Sequence, residues 1–422
     1  MHTRFQRLFV SLSLTLCLWG TCSYPQGQLY AQGLPLELKE FSEKHNPSLG
    51  SKRSAQQALR YQYQAIGMWP ATTFEMALFT PEMEYPMGRQ RYTLRAMQMI
   101  PPFKEFSLQR KDVAALQEMA QADYEMAKRS LWMSLQEYWI QWRSAEFQLR
   151  QLDQSLASMQ EMQEWMRARN DARVGIEDQY DIDLEILGMQ IEREKLLEKR
   201  NTLLAHLHQQ MGDSIRSVNI PLEPLEPVSW MPDSLPAALA QHPELRMQQT
   251  SLQMEKIQED MERVSGRPMV GLGLQYGRLN PIAAMSEGAT MFMPMVQLNV
   301  PMSFSKRNAA VQRRRTQQEA LEIERLEIQQ KLEIRWRQAR TEYRQAQRLS
   351  SLYQQQRELA YERYQLRLAG YRMGREEFDA LLDRLRRYHE AAMKEIMALE
   401  EQHMILATLE ELLGSTPPST QE

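Results

Sequence analysis

No proline occurs between Pro102 and Pro221, and none between Pro301 and Pro417. Proline breaks helices because it lacks the N–H and its ring clashes with the carbonyl one turn earlier. Two such tracts, each opened by proline, restrict the chain to folds built on very long helices. Residues 293–315, MPMVQLNVPMSFSKRNAAVQRRR, show how a tract begins. Val296, Leu298 and Val300 alternate with Met295, Gln297 and Asn299, the period-two pattern of a strand with one apolar face. Pro301 removes a backbone donor, which a strand tolerates at its end or edge. Beyond Ser305 the period becomes helical. Residues 94–116, LRAMQMIPPFKEFSLQRKDVAAL, repeat this strand-to-helix transition around Pro101 and Pro102.

The repetition is general. Asn46-Pro47-Ser48-Leu49 is echoed by His242-Pro243-Glu244-Leu245, Trp69-Pro70 by Arg267-Pro268, Pro101 by Pro301, Gly175 by Gly374, and Gly212 by Gly414. Every offset is about 200 residues, the mark of an internal duplication. Each half reads helix, strand, loop, strand, very long helix, glycine break, long helix. The expected organisation is a signal segment over 1–31, a first repeat over 32–213, a proline-rich linker over 214–236, a second repeat over 237–414 and a tail over 415–422. In the first half a helix is expected over 51–66 and strands over 72–78 and 92–100, with residues 79–89 (Pro81, Pro86, Gly88) as the loop. In the second, strands are expected over 269–277 and 293–304.

The long helices, 103–169 and 306–372, would each span about 100 Å at 1.5 Å per residue. Leu332, Trp336, Ala339, Tyr343, Ala346, Tyr353, Ala360 and Tyr364 fall on three-four steps, a coiled-coil stripe mixing alanine with aromatics. Trp132, Trp139 and Trp142 read as packing residues within the first long helix. Gly175 and Gly374 end these helices at hairpin bends where a positive φ is cheap. Charge is dense there: Glu177, Asp178, Asp181 and Asp183 in one half, Arg372, Arg375, Glu376, Glu377, Asp379 and Asp383 in the other. Such acids either solvate a hairpin tip or line a constriction. The strands have the length of membrane-spanning β-strands. Four strands cannot close a barrel alone, and an open edge cannot sit in lipid, so a barrel would have to be shared between chains.

The formal net charge is −3 over 422 residues, with basic and acidic stretches mixed, which is not the one-sided footprint of a nucleic-acid binder. Arg4 and Arg7 followed by the apolar run Leu8 to Trp19 read as a secretory signal, cleaved between about residue 23 and residue 31. The two cysteines, Cys17 and Cys22, fall in or beside it, leaving no disulfide or thiolate in the rest of the chain. Cys22 is a candidate lipid-modified N-terminus, although Leu18-Trp19-Gly20-Thr21 fits a lipobox poorly. No Walker loop, G-x-G-x-x-G, G-x-S-x-G or H-E-x-x-H motif is present, so neither an enzyme nor a cofactor is expected. His206 and His208 stand two apart and do not share a helix face, so no metal role is assigned to them. Methionine crowds the two hairpins: Met83, Met87, Met97 and Met99 in the first, Met285, Met291, Met293, Met295 and Met302 in the second. Thioethers suit Cu(I), which keeps copper or silver efflux as a subsidiary reading. The favoured reading is that they are adaptable apolar filler.

Taken in order and twice over, these features resemble the TolC-type outer-membrane efflux protein family from about Leu34 to Gly414. The carriers are the two N/H-P-x-L helix starts, the strand-proline-helix transitions, Tyr371-Arg372-Met373-Gly374 leading to Leu381-Leu382, and the ending Leu409-Glu410-Glu411-Leu412-Leu413-Gly414. The resemblance implies a mainly α protein with a small β part, built as a homotrimer. Each chain would give four strands to one 12-stranded outer-membrane β-barrel, and its helices to a coiled-coil periplasmic tunnel. It further implies a passive exit duct of a tripartite efflux or type I secretion system, docked on a periplasmic membrane-fusion adaptor and an inner-membrane transporter of RND or ABC type. The family closes its periplasmic tip with an Asp–Tyr link and rings of acids. Asp181 and Tyr371 fall on that link, and Asp383 on a ring acid. Glu376 stands where the family pattern has Arg, and Ala380 where it has the other ring Asp, with Asp379 adjacent. The competing reading is a periplasmic coiled-coil adaptor. Adaptors carry one helical hairpin between β-rich domains, whereas this chain duplicates hairpin and strands together.

Overall fold

The computed structural model describes residues 34–67, 70–85, 88–168, 176–212, 225–228, 237–280, 290–302 and 304–413. The signal segment, Gly175, Gly414, Trp69, Pro86, Met87, Met285 and most of the linker lie outside these. The elements run α1 (Leu36–His45), α2 (Pro47–Ala65), β1 (Thr73–Tyr85), β2 (Gly88–Ile100), α3 (Phe103–Ala168), α4 (Ile176–Met211), a short 3-10 helix (Ala237–Gln241), α5 (Pro243–Val264), β3 (Met269–Asn280), β4 (Thr290–Asn299), α6 (Phe304–Arg372) and α7 (Phe378–Leu413). The 66-residue α3 and the 69-residue α6 start at the proline transitions. No helix among the described residues is long and apolar enough to cross a membrane.

The duplicated helix starts share one physical device. Asn46 caps α2 by accepting from Ser48 N and Leu49 N at 2.9 and 3.3 Å, with Pro47 at the first helical position. His242 caps α5 by accepting from Glu244 N at 3.3 Å, with Pro243 in the matching place. The side-chain acceptor satisfies an orphan amide, and the proline loses nothing there. Asn46 Nδ2 also donates to Gln210 O at 2.9 Å, tying the start of α2 to the end of α4.

The hairpins lie side by side. α4 packs on α3, α3 on α7, and α7 on α6, so α4 and α6 form the two margins of this wall. Towards the sheet, α2 packs on the outside of α3, and α5 fills the space between α3 and α6. Leu332, Trp336, Ala339, Tyr343, Ala346 and Tyr364 of the expected stripe are buried, and Tyr353 and Ala360 half-buried. Trp139 is buried and stacks on Trp142 at 5.4 Å. Among the described residues, three apolar clusters hold the wall. One joins all four long helices near the hairpin tips through Leu152, Met159, Ile182, Leu381 and Tyr364. The others, around Trp139 and around Trp336, occupy corresponding places in the two repeats.

The four strands form one antiparallel sheet in the order β1-β2-β3-β4, with β2 and β3 joining the repeats. The expected loop over 79–89 is corrected: β1 continues to Tyr85, and β2 begins at Gly88. Pro81 is accommodated because β1 is an edge strand and a bulge shifts its register between Leu78 and Met83. Further boundaries move: β3 runs on to Asn280 rather than ending at 277, β4 runs from Thr290 to Asn299 rather than over 293–304, and α2 begins at Pro47 rather than 51.

Residues 225–228 lie across α6 and α7. Val228 O accepts from Tyr343 OH and from Gln402 Nε2, and Glu226 O accepts from His403 at 2.9 Å. Burial, with the Arg143 charge nearby, lowers His403 from 6.5 to about 4, despite its bond to Glu226 O. The unfolded chain therefore takes up this proton near pH 6.5 and the folded chain only near pH 4. Stability present above pH 6.5 is lost as pH falls towards 4, by up to about 3 kcal/mol. His403→Gln keeps a donor and cannot titrate. Its melting temperature, followed by helical circular dichroism, is expected to fall less steeply than the parent's across this window.

Candidate functional site at the hairpin tips

α3 ends and α4 begins, and α6 turns into α7, at the end of the wall far from the sheet. Gly374 lies at φ +75°, where a side chain would meet its own backbone. Its N–H donates to Tyr371 O, and Arg375 N to Gly370 O, both at 3.0 Å, closing the last carbonyls of α6. This turn folds Glu376 back onto Arg367 as an ion pair. Gly370 makes room for it: a Cβ there would lie 2.6 Å from Glu376 Cγ. Only the turn reveals Arg367, which stands nine residues before its partner.

Tyr371 is buried, with its ring edge-on to Phe378 at 6.2 Å, and belongs to the apolar cluster at the tip. Asp181 is exposed on the first turns of α4, beside the fully buried Ile182. Asp383 sits among arginines, 3.1 Å from Arg387 and 3.0 Å from Arg384. Asp379, at the start of α7, lies against Asp178 and Asp181 of α4. Burial first, then the negative charges of Asp178 and Asp181, push the Asp379 carboxyl up. The structure therefore gathers Asp178, Asp181 and Asp379 across the two hairpins, and gives Glu376 and Asp383 basic partners. Asp178 was visible in the sequence only as one member of a charge-dense stretch.

At the other end the sheet separates its two faces. Phe74, Met76, Leu78, Leu94, Leu272, Leu274, Phe292, Val296 and Leu298 share one face and are exposed, Phe74 at 80% and Val296 at 76%. The opposite face carries Glu75, Arg95, Gln275 and Gln297, with Arg95 3.1 Å from Glu75.

A wall of paired long helices, carrying an open four-stranded sheet with one apolar exposed face, is the fold of TolC-type channels. The sequence of residues 235–415, the second repeat, matches the outer membrane efflux protein family. The sequence matches no curated protein. The fold is similar to that of the outer-membrane channel OprN, at 18% identity over 90% of each chain with a TM-score of 0.74. It is similar to the open state of the Neisseria gonorrhoeae MtrE outer membrane channel, at 16% identity over 90% of this chain and 88% of that one, with a TM-score of 0.73. The Vibrio cholerae outer membrane protein VceC matches at 12% identity over 90% of this chain and 95% of its own, with a TM-score of 0.70. At such identities it is the fold that is shared.

Asp379→Asn removes a carboxylate from a like-charged group. It is expected to stabilise the protein at pH 7 by about 0.5 kcal/mol or less, the scale of exposed charge pairs. The advantage should be smaller at pH 4 than at pH 7, because the raised parent carboxyl takes up its proton early as pH falls. Melting curves at the two pH values check this.

Proposed function

We propose that the chain is one third of an outer-membrane exit duct. Three copies share one 12-stranded barrel, and their helices enclose a periplasmic tunnel through which an efflux or type I secretion system discharges its cargo. The observation that carries this reading is the continuity of the two margins. β1, α2 and α4 lie along one side of the chain, and β4 and α6 along the other. β1 and β4 each present a row of backbone groups unpaired within the chain, beside a face of exposed aromatic and aliphatic side chains. Pairing β4 of one copy with β1 of the next removes both edges, and repeating the operation closes a ring.

The helices carry matching stripes. Tyr180, Leu184, Leu187 and Ile191 stand exposed on α4 at four-three-four steps. On the other margin Leu352, Leu359 and Leu366 of α6, and Met373 just beyond it, stand exposed at every seventh position. Both stripes lie towards the tip, and such spacing is that of a coiled-coil contact. A periplasmic adaptor would leave the apolar sheet face in water, which disfavours that reading. The energy for transport would come from an inner-membrane transporter of RND or ABC type, reached through a periplasmic membrane-fusion adaptor at the tip.

Closure at the tip is assigned to Asp181, Tyr371, Glu376, Asp379 and Asp383. The apolar packing of Tyr371 and the Arg367–Glu376 pair brace one hairpin, while the acids face across to the other. Three copies of such acids around an axis would favour cations over anions.

Membrane fractionation followed by native mass of the detergent-extracted protein tests the assembly. A trimer from the outer membrane is expected; a soluble periplasmic monomer would end this reading. The double variant Leu359→Lys with Leu366→Lys is expected to shift the extracted protein from trimer to monomer with its helical content unchanged. In planar bilayers, Asp181→Asn and Tyr371→Phe are each expected to raise single-channel conductance. Unchanged conductance in both would remove these two residues from the gate.

A further inference from the structure

Among the described residues, the inward face of the sheet carries no leucine, isoleucine, valine or phenylalanine within its regular register. Its large apolar side chains are all methionine: Met97 and Met99 on β2, Met269 on β3, and Met291, Met293 and Met295 on β4. The outward face, built from the same strands, has one methionine, Met76, among leucine, valine and phenylalanine. Simple filling does not explain this separation, because the chain uses branched and aromatic residues freely one position away. A thioether differs from leucine in being a soft electron-pair donor.

The geometry is specific. Met97 and Met295 both pair with Gly273 in the register, one on either side, and Met99 pairs with Gly271. A Cβ at Gly271 would lie 2.6 Å from Met99 Sδ and 3.3 Å from Met97 Sδ, so both sulfurs approach one point above that glycine. A Cβ at Gly273 would lie 2.9 Å from Met97 Sδ. The two glycines thus form a trough into which Met97 and Met99 lean, with Met295 in register beside Gly273 on the neighbouring strand. It lies at the end of the sheet that joins the helices, since Ile100 leads into α3 and Asn299 towards α6. Glu75, Arg95 and Gln275 occupy the next inward rung beside Met293.

From this arrangement we propose that Met97, Met99 and Met295 form a thioether site for a soft monovalent cation, Cu(I) or Ag(I), on the inner wall of the barrel base. The inference rests on the shared-barrel reading, which makes this face the lumen and repeats the site three times around it. Neutral thioethers bind such ions without a carboxylate or thiolate. Several weak equivalent sites at one level let an ion enter and leave, as conduction requires. The cargo class this favours is a soft metal ion.

Equilibrium dialysis of the full-length, detergent-extracted protein against silver nitrate in chloride-free buffer tests this, with bound silver counted by mass spectrometry and its ligands identified by X-ray absorption. The parent is expected to bind Ag(I) through sulfur. Met97→Leu, Met99→Leu and Met295→Leu combined, which keep volume and apolarity, are expected to weaken binding about tenfold or more. Met83→Leu with Met397→Leu, at exposed positions elsewhere, should leave it unchanged. No silver on the parent, or equal silver on the triple variant, would overturn the site. Native mass on the same samples separates the two readings: a trimer without silver overturns this inference alone, whereas a monomer overturns the shared barrel.

Discussion

The structure depends on the need of every backbone N–H and C=O at the edge of a sheet for a partner. Within one chain β1 and β4 leave theirs unpaired, beside a face of exposed phenylalanine, leucine and valine. In water such an edge templates aggregation, and in lipid each unpaired group costs several kcal/mol. Closure through further copies, as proposed, would remove both problems together. Because β1 and β4 are different edges, such a contact would be head-to-tail, and only a ring of fixed number would complete it. The helical margins would inherit this geometry, since α2 and α4 follow β1 on one side while α6 follows β4 on the other.

The helices meet a different requirement. A wall one helix thick cannot bury a broad core, so α3, α4, α6 and α7 use narrow stripes in which alanine and aromatics interlock. Polar groups share the interior where they are paired. Gln136 reaches Glu410 at 3.0 Å, Ser350 reaches Gln402 at 3.3 Å, and Gln402 holds the carbonyl of Val228. These bonds fix the register of helices whose apolar stripes alone would let them slide.

Much of this was legible in the sequence, because proline, glycine and periodicity carry long-range consequences in a duplicated chain. The starts of α3 and α6, the bend at Gly374 and the stripe from Leu332 to Tyr364 all follow from local physics. Where sequence reasoning stopped, tertiary context decided. Pro81 and Gly88 looked like loop residues, yet the edge position of β1 and a register bulge let the strands run on. The short α1 gave too few turns for its period to stand out. At the tip, the charge density around Asp178 and Asp379 was visible, but its sorting was not. Whether an acid meets an arginine, as Glu376 does, or another acid, as Asp379 does, depends on contacts across a turn or between hairpins, which no spacing encodes. The outward face of the sheet could be read from alternation, whereas the trough over Gly271 and Gly273 required the register of β2 on β3.

The duplication separates what is scaffold from what is chemistry. Asn46 and His242 do the same capping work in their repeats, and Ile182 and Leu381 fill equivalent places after the two bends. The chemistry is not duplicated. Arg367 braces Glu376 in the second hairpin, whereas the matching position of the first is Ala168. Asp181 corresponds in the second repeat to Ala380, and the methionine pair on β2 faces a run of glycines on β3. A shared scaffold lets the two hairpins pack side by side as near equals, and these differences lie in the side chains at the tip and on the sheet. On the proposed reading, carboxylates would stand at the periplasmic mouth of the duct and thioethers where the helices meet the barrel. A passive conduit has no means of selection other than its lining, so a duct built in this way would discriminate among cargoes through that difference between its two ends.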